Sequence, residues 1–317
     1  MKFLSNLLNF TEHAVGLDIN FGRITAAHFV QTSEALTLNK LASTRYDPEM
    51  PDKELAGKLH EFWKKEKLPS RTVCTCLHSR ALAIRPFAYK NLTRDELPHA
   101  LSLEAEEALQ KHPGEISMDW HLAPTAPDET GHRAELAGTL VAAPHKTVQR
   151  HLDLIKAAGL YSISVEVSCS ALHRLYCFLT REQASGPACV VNLADRTADI
   201  MMCSNGNSYP RTIFSAGDGW ESNLDYLANN IQDALLHYDM KRKHAPATKI
   251  LLTGQLAGQD ALTARLQEET GLPVDIWDVF SEMERSGADP QVRQNVGEPY
   301  SPAAALGLGL RRPAQEI

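Results

Sequence analysis

Long apolar runs are missing from this chain of 317 residues. None approaches the ~20 residues that a membrane-spanning helix needs, so no spanning helix is expected. A basic stripe is missing as well. The formal net charge is −7, whereas binding to a phosphate backbone needs clustered Lys and Arg. The best candidate, Lys241-Arg-Lys243, reads as the solvated end of a helix, where cations suit the dipole. Nucleic acid is therefore not an expected partner. The six cysteines (Cys74, Cys76, Cys169, Cys177, Cys189 and Cys203) contain no CxxC pair. Cys74 and Cys76 stand two apart on an expected strand, so their thiols share a face. The set reads as reduced, mostly buried thiols of a cytosolic protein, with no metal bound. Neither HExxH nor GxSxG occurs, which removes two ready hydrolytic chemistries. His145 and His151 lie six apart, a poor metal spacing, and the pairs His112/Glu115 and His132/Glu135 read as surface histidines. Residues 1–10 carry one Lys and neither a long apolar core nor a small-residue cleavage site, so they make a poor signal peptide. Phe3, Leu4, Leu7, Leu8 and Phe10 would share one face of a short helix. That face either meets a membrane or a partner protein, or docks on its own domain.

What the chain does contain is alternation. Residues 15–30 read as strand, tight turn, strand, with Asp18 at the end of the first strand and Gly22 in the turn. Residues 36–46 add a third strand. Residues 52–65 read as a helix, because Leu55, Leu59, Phe62 and Trp63 fall on one face. Strands follow at 72–77 and 81–89. Thr93-Arg-Asp-Glu96 resembles a capping box, and Leu97, Leu101, Ala105, Ala108 and Leu109 recur at helical spacing behind it. Strands at 118–122 and 134–142, joined by a loop at 126–131, complete a small α+β insertion. A helix through Val148, Leu152 and Ile155 stops at Gly159. A strand at 162–167, a helix at 171–178 and a small polar stretch at 183–187 close the first half. The second half opens as the first did: strand 188–193, turn 194–196, strand 197–203, an Asn205-Gly206 turn and strand 208–214. A helix at 221–238, a buried-type strand at 249–252, a helix at 257–269, an edge-like strand at 274–277 and a helix at 302–310 follow. The expected class is α/β, with two hairpin-led halves.

Four segments carry a resemblance that covers nearly the whole chain, from Ala14 to Arg311. They are the hairpin from Gly16-Leu-Asp-Ile19, the stretch 92–106, Lys156-Ala-Ala-Gly-Leu160 with the Val165-Glu-Val167 strand, and Lys249-Ile-Leu-Leu-Thr-Gly254 with Gly271-Leu-Pro-Val274. In this order, and with the insertion in place, they resemble the type IV pilus assembly protein PilM family. That family is related to the cytoplasmic part of the secretion protein GspL and to FtsA. The resemblance implies an actin-like (ribonuclease H-like duplicated) fold with an inserted 1C-type subdomain. Its divisions here would be an N-terminal segment (1–13), a first half in two parts (14–80 and 146–185), the 1C-like insertion (81–145) and a second half (186–317), with subdomain 2B over roughly 218–290. It implies a cytoplasmic scaffold, peripheral to the inner membrane, in a pilus or secretion machine. Such a scaffold docks the tail of a PilN-like membrane protein in a groove between the first subdomain and 1C, alongside other inner-membrane components. Exposed positions on the helix after Thr93 are the first candidates for that contact.

The same resemblance implies Mg-ATP bound between two phosphate hairpins. Its positions here would be Asp18, Asn20, Gly22 and Arg23 in the first hairpin, Asn192 and Asp195 in the second, and Gly217, Gly254 and Gln255 around the adenosine. Several depart from the family pattern. Asn20 stands for Gly, Thr25 for Lys, Asn192 and Ala194 for Asp and Gly, and Gln255 for Gly. A Cβ at a phosphate-contacting Gly obstructs backbone approach, and loss of a carboxylate weakens the orientation of water bound to Mg²⁺. The expectation is a degenerate nucleotide site with no catalytic residues and no enzymatic role. The alternatives are an FtsA-like, ATP-dependent filament former and a sugar or acetate kinase on the same fold.

Overall fold

The alternation in Val15-Gly-Leu-Asp-Ile-Asn20 sets the architecture. Val15, Leu17 and Ile19 are buried on one face of the first strand, with Leu55, Leu59, Phe62 and Trp63 against them. Gly16, Asp18 and Asn20 therefore take the other face. The computed structural model describes residues 12–32, 36–123, 135–180, 186–204, 207–215, 220, 224–240, 246–254, 257–285 and 301–311. The apolar segment 1–10, the 126–131 loop, His132, the Asn205-Gly206 turn, Lys241-Arg-Lys243, Gly217 and Gln255 lie outside them.

Two five-stranded sheets share one topology. The first runs β3 (Leu36–Arg45), β2 (Arg23–Gln31), β1 (Glu12–Asn20), β4 (Thr72–Cys76), β8 (Tyr161–Glu166). The second runs β11 (Asn207–Phe214), β10 (Thr197–Ser204), β9 (Ala188–Leu193), β12 (Lys249–Gly254), β13 (Val274–Ile276). In each, three antiparallel strands are followed by two parallel ones. The register repeats too: Asp18 faces Thr25 across the first hairpin, and Asn192 faces Asp199 across the second. The insertion forms a third sheet, in which β7 (Leu136–Pro144) lies between β5 (Ala83–Tyr89) and β6 (Ile116–Leu122).

Helices fill the layers. α1 (Asp52–Lys65) and α3 (His145–Ala157) cover the outer face of the first sheet. α5 (Leu224–Met240) and α6 (Asp260–Thr270) cover that of the second. α4 (Ser168–Leu179) and α8 (Ala303–Gly309) lie between the sheets, with Phe29, Leu175, Val190, Met201 and Leu306 in a shared core. α7 (Val279–Arg285) follows β13. α2 (Leu97–Leu109) packs Leu97, Leu101 and Ala105 on the third sheet. The capping box forms one turn ahead of α2: the Thr93 amide donates to Glu96 Oε2 at 2.8 Å, and the Glu96 amide donates to Thr93 Oγ1 at 3.3 Å. Among the described residues no helix is long and apolar enough to cross a membrane.

α8 enters between the sheets because it is made of small residues. A Cβ on Gly16 would lie 2.1 Å from the Ala305 carbonyl, and one on Gly307 would lie 1.9 Å from that of Ala171. Backbone therefore packs on backbone at both faces of this helix.

Candidate functional site

The inward faces of β1 and β9 place Asp18, Asn20 and Asn192 between the two halves, and each has a partner. Asp18 is buried, and its Oδ1 accepts from His78 Nε2 at 2.6 Å and from the Cys76 thiol at 3.3 Å. Burial pulls the His78 pKa down. The Asp18 charge and hydrogen bond outweigh that pull and leave it above 6.5, which favours an imidazolium beside Asp18, with both side chains less than a tenth exposed. Burial, followed by the Asp18 charge, pushes the Cys76 thiol well up. Asp18, Cys76 and His78 are the described residues whose ligand atoms cluster as a metal site would require. Here they are joined by hydrogen bonds.

Across the gap the hairpins touch directly. Asn20 Nδ2 donates to Thr197 Oγ1 at 3.0 Å, and Arg23 Nε lies 3.5 Å from Asp195 Oδ2. Phe21 meets Phe214 edge-to-face, with centroids 5.9 Å apart. Gly22 holds φ +101° in the first turn, a conformation open to Gly. In the second hairpin the Trp220 indole N–H donates to the Ala194 carbonyl at 3.0 Å.

A carboxylate, Asp199, stands opposite Asn192 across the ladder. Asp199 is 1% exposed and accepts from Ser168 Oγ at 2.6 Å, Thr212 Oγ1 at 2.8 Å and Asn192 Nδ2 at 3.4 Å. Ser168 opens α4, so Asp199 ties that helix N-terminus to the second sheet, where a negative charge is favoured. Asn192 Oδ1 accepts in turn from Ser301 Oγ. Gly254 holds φ +100°, and a Cβ there would lie 2.0 Å from the Leu193 carbonyl. It thus packs on the end of β9.

Asp18, Asn20, Arg23, Asn192 and Asp195 therefore meet in one inter-half region, while Gly254 backs the β9 strand. His78, Thr197, Asp199 and Ser301 were not legible as site residues. Only Asp199 had a sequence signal, the register repeat that puts it opposite Asn192. The cysteines are mostly buried, as expected: five are buried and Cys177 is exposed. His151 is buried and bound to Thr75 Oγ1 at 3.1 Å. Burial, then the His78 charge, lowers its pKa to about 4. A lowered histidine contributes stability above its unfolded value of 6.5 and loses that contribution as pH falls toward 4. His151→Gln is thus expected to flatten part of the fall in melting temperature over that window. An unchanged slope would contradict this assignment.

On α2, His99, Leu103 and Glu107 form the exposed stripe, and Leu103 is 55% exposed.

No family model and no curated protein matches this sequence. Solved structures do match. A chain of the PilM–PilN type IV pilus biogenesis complex superposes with a TM-score of 0.77 at 18% identity, over 94% of this chain and 97% of that one. A Bacteroides thetaiotaomicron protein with actin-like ATPase fold and unknown function gives 0.50 at 10% identity, over 86% and 95%. The cytoplasmic domain of EpsL, an inner membrane component of the type II secretion system of Vibrio cholerae, gives 0.49 at 9% identity, over 87% and 94%. The chain has the actin-like ATPase fold, and it is similar along nearly its whole length to a chain of that pilus complex.

Proposed function

We propose that this chain is a docking scaffold, peripheral to the cytoplasmic side of an inner membrane. It would hold the tail of a PilN-like membrane protein within a type IV pilus or secretion-type platform. The observation that carries this reading is the likeness over 94% of the chain, inserted sheet included, to a chain of a PilM–PilN complex. The scaffold has no enzymatic role in this reading, and Mg-ATP is dispensable to it. The residues that would hold nucleotide fit it poorly. Asp18 is neutralised by His78, Asn192 is taken up by Asp199 and Ser301, and the space between the hairpins is crossed by Asn20–Thr197 and Arg23–Asp195. A bound triphosphate would have to part those contacts and supply more than it breaks.

The tail would contact the inserted subdomain near the exposed α2 stripe. A synthetic peptide matching the tail of the cognate PilN-like protein is expected to bind saturably in a fluorescence titration. Leu103→Lys is expected to weaken it about tenfold, the scale of one lost apolar anchor, without moving the unfolding midpoint. Absence of binding to the unaltered chain counts against the docking role. Full affinity in Leu103→Lys counts against this face alone.

A further inference from the structure

We propose that the cleft between the inserted sheet and the second half binds a compact, multiply charged oxyanion of the phosphate-ester class. The cleft encloses about 550 Å³, within the range of small-molecule sites. It follows β11, with the loop after β4 and strand β5 opposite and the C-terminal ends of α2 and α5 beside it. Asn20, Gly22, Asn192 and Asp195 do not line it. It borders the hairpin gap, since His78, Ser168, Thr212 and Phe214 line it, and the inference does not rest on the docking role.

Charge is the main ground. Arg80, Arg85, Lys111 and Arg211 line the cleft, and no Asp or Glu does so among the described residues. The chain as a whole has 39 acidic against 32 basic residues, so this segregation runs against composition. None of the four cations has a carboxylate partner among the described residues. Two are held in place by neutral groups instead. Arg80 Nη2 donates to the Ser215 carbonyl at 3.0 Å, and its guanidinium lies 5.2 Å from the centre of the Phe214 ring. Arg211 Nη2 donates to Asn230 Oδ1 at 2.8 Å. These contacts fix the guanidinium groups without cancelling their charge. Oriented donors of this kind suit a phosphate oxygen, because little ordering remains to be done on binding.

The strands favour a compact ligand over an extended acidic peptide. β5 and β11 are edge strands, and each presents a proline to the cleft, Pro86 and Pro210. A proline lacks the N–H that an added strand would need, so strand addition along either edge is poorly supported. Recognition is left to the side chains.

Calorimetric titration of the full chain with inorganic tripolyphosphate at low salt tests the proposal. Saturable binding is expected, weakening as salt rises. Arg85→Gln and Arg211→Gln should each weaken it about tenfold or more, the scale of one charge-assisted hydrogen bond. Arg85 is exposed, so its substitution should leave the unfolding midpoint in place and separate binding from stability. No saturable binding, or unchanged affinity in both variants, overturns the proposal. So does a loss confined to Arg23→Gln, which would put the anion between the hairpins. A Glu-rich peptide that binds more tightly than tripolyphosphate also overturns it, in favour of a protein partner.

Discussion

Replacing His78 with alanine is expected to lower folding stability by about 3–5 kcal/mol, because it leaves a buried carboxylate without its cation. Asp18 and His78 are 2.6 Å apart, with side chains 7% and 4% exposed, so solvent cannot take over the pairing. Asp18→Asn removes the charge that needs a partner. In that background His78→Ala should do less harm than in the unaltered chain, giving a coupling read from a double-mutant cycle in urea. The pH dependence has a definite sign. The folded pKa of His78 is raised above 6.5. Its contribution is therefore complete below 6.5 and is lost as pH rises through the raised value. The gap between the unaltered chain and His78→Ala should accordingly narrow at higher pH. Equal stability of the two at pH 6 would contradict the ion pair.

Gly307→Ala is expected to cost about 3 kcal/mol or more, the upper end for overpacking a filled interior. The added Cβ would lie 1.9 Å from the Ala171 carbonyl, and that carbonyl belongs to α4, which cannot retreat without disturbing the shared core. Gly307 also supplies a carbonyl to Arg174 Nη1 at 2.8 Å. A shift of α8 would strain that bond and the Glu166 ion pairs of Arg174 and Arg311. Gly57→Ala is the control. Its Cβ meets nothing within 4 Å and it sits inside α1, so a small gain is expected there from helix propensity. A Gly307→Ala protein that melts where the unaltered chain does would contradict backbone-on-backbone packing of α8.

Local pattern made much of this fold legible. β9 reads as a short apolar run because it is buried on both faces, whereas the period-2 alternation in β1 is strong because one face packs on helices and the other carries Gly16, Asp18 and Asn20. The helical face of α1 was legible for the same reason. Its bounds at Asp52–Lys65 match the spacing of Leu55, Leu59, Phe62 and Trp63. The capping box at Thr93–Glu96 is a contact of three residues' span, and such contacts carry their own sequence signature. His78 had none. It lies in a loop after β4, and its partner is sixty residues away. Thr197 gains meaning only when the halves close and bring Asn20 to it, and Ser301 only when the chain returns to Asn192 from 109 residues away. His151 reads in the sequence only as half of a poorly spaced pair with His145. Its burial follows from α3 packing on the first sheet, where Thr75 offers a hydrogen bond. Asp199 was legible only through the seven-residue register that Asn192 and Asp199 share with Asp18 and Thr25.

The two hairpins touch through Asn20–Thr197 and Arg23–Asp195, and in the proposed scaffold docking does not require nucleotide. The most direct measurement is the affinity of the full chain for the cognate PilN-like tail, titrated once without nucleotide and once with saturating Mg-ATP. The expected result is the same dissociation constant in both titrations, with no heat on adding Mg-ATP alone. Tail binding that appears only with Mg-ATP, together with tight Mg-ATP binding, would contradict it.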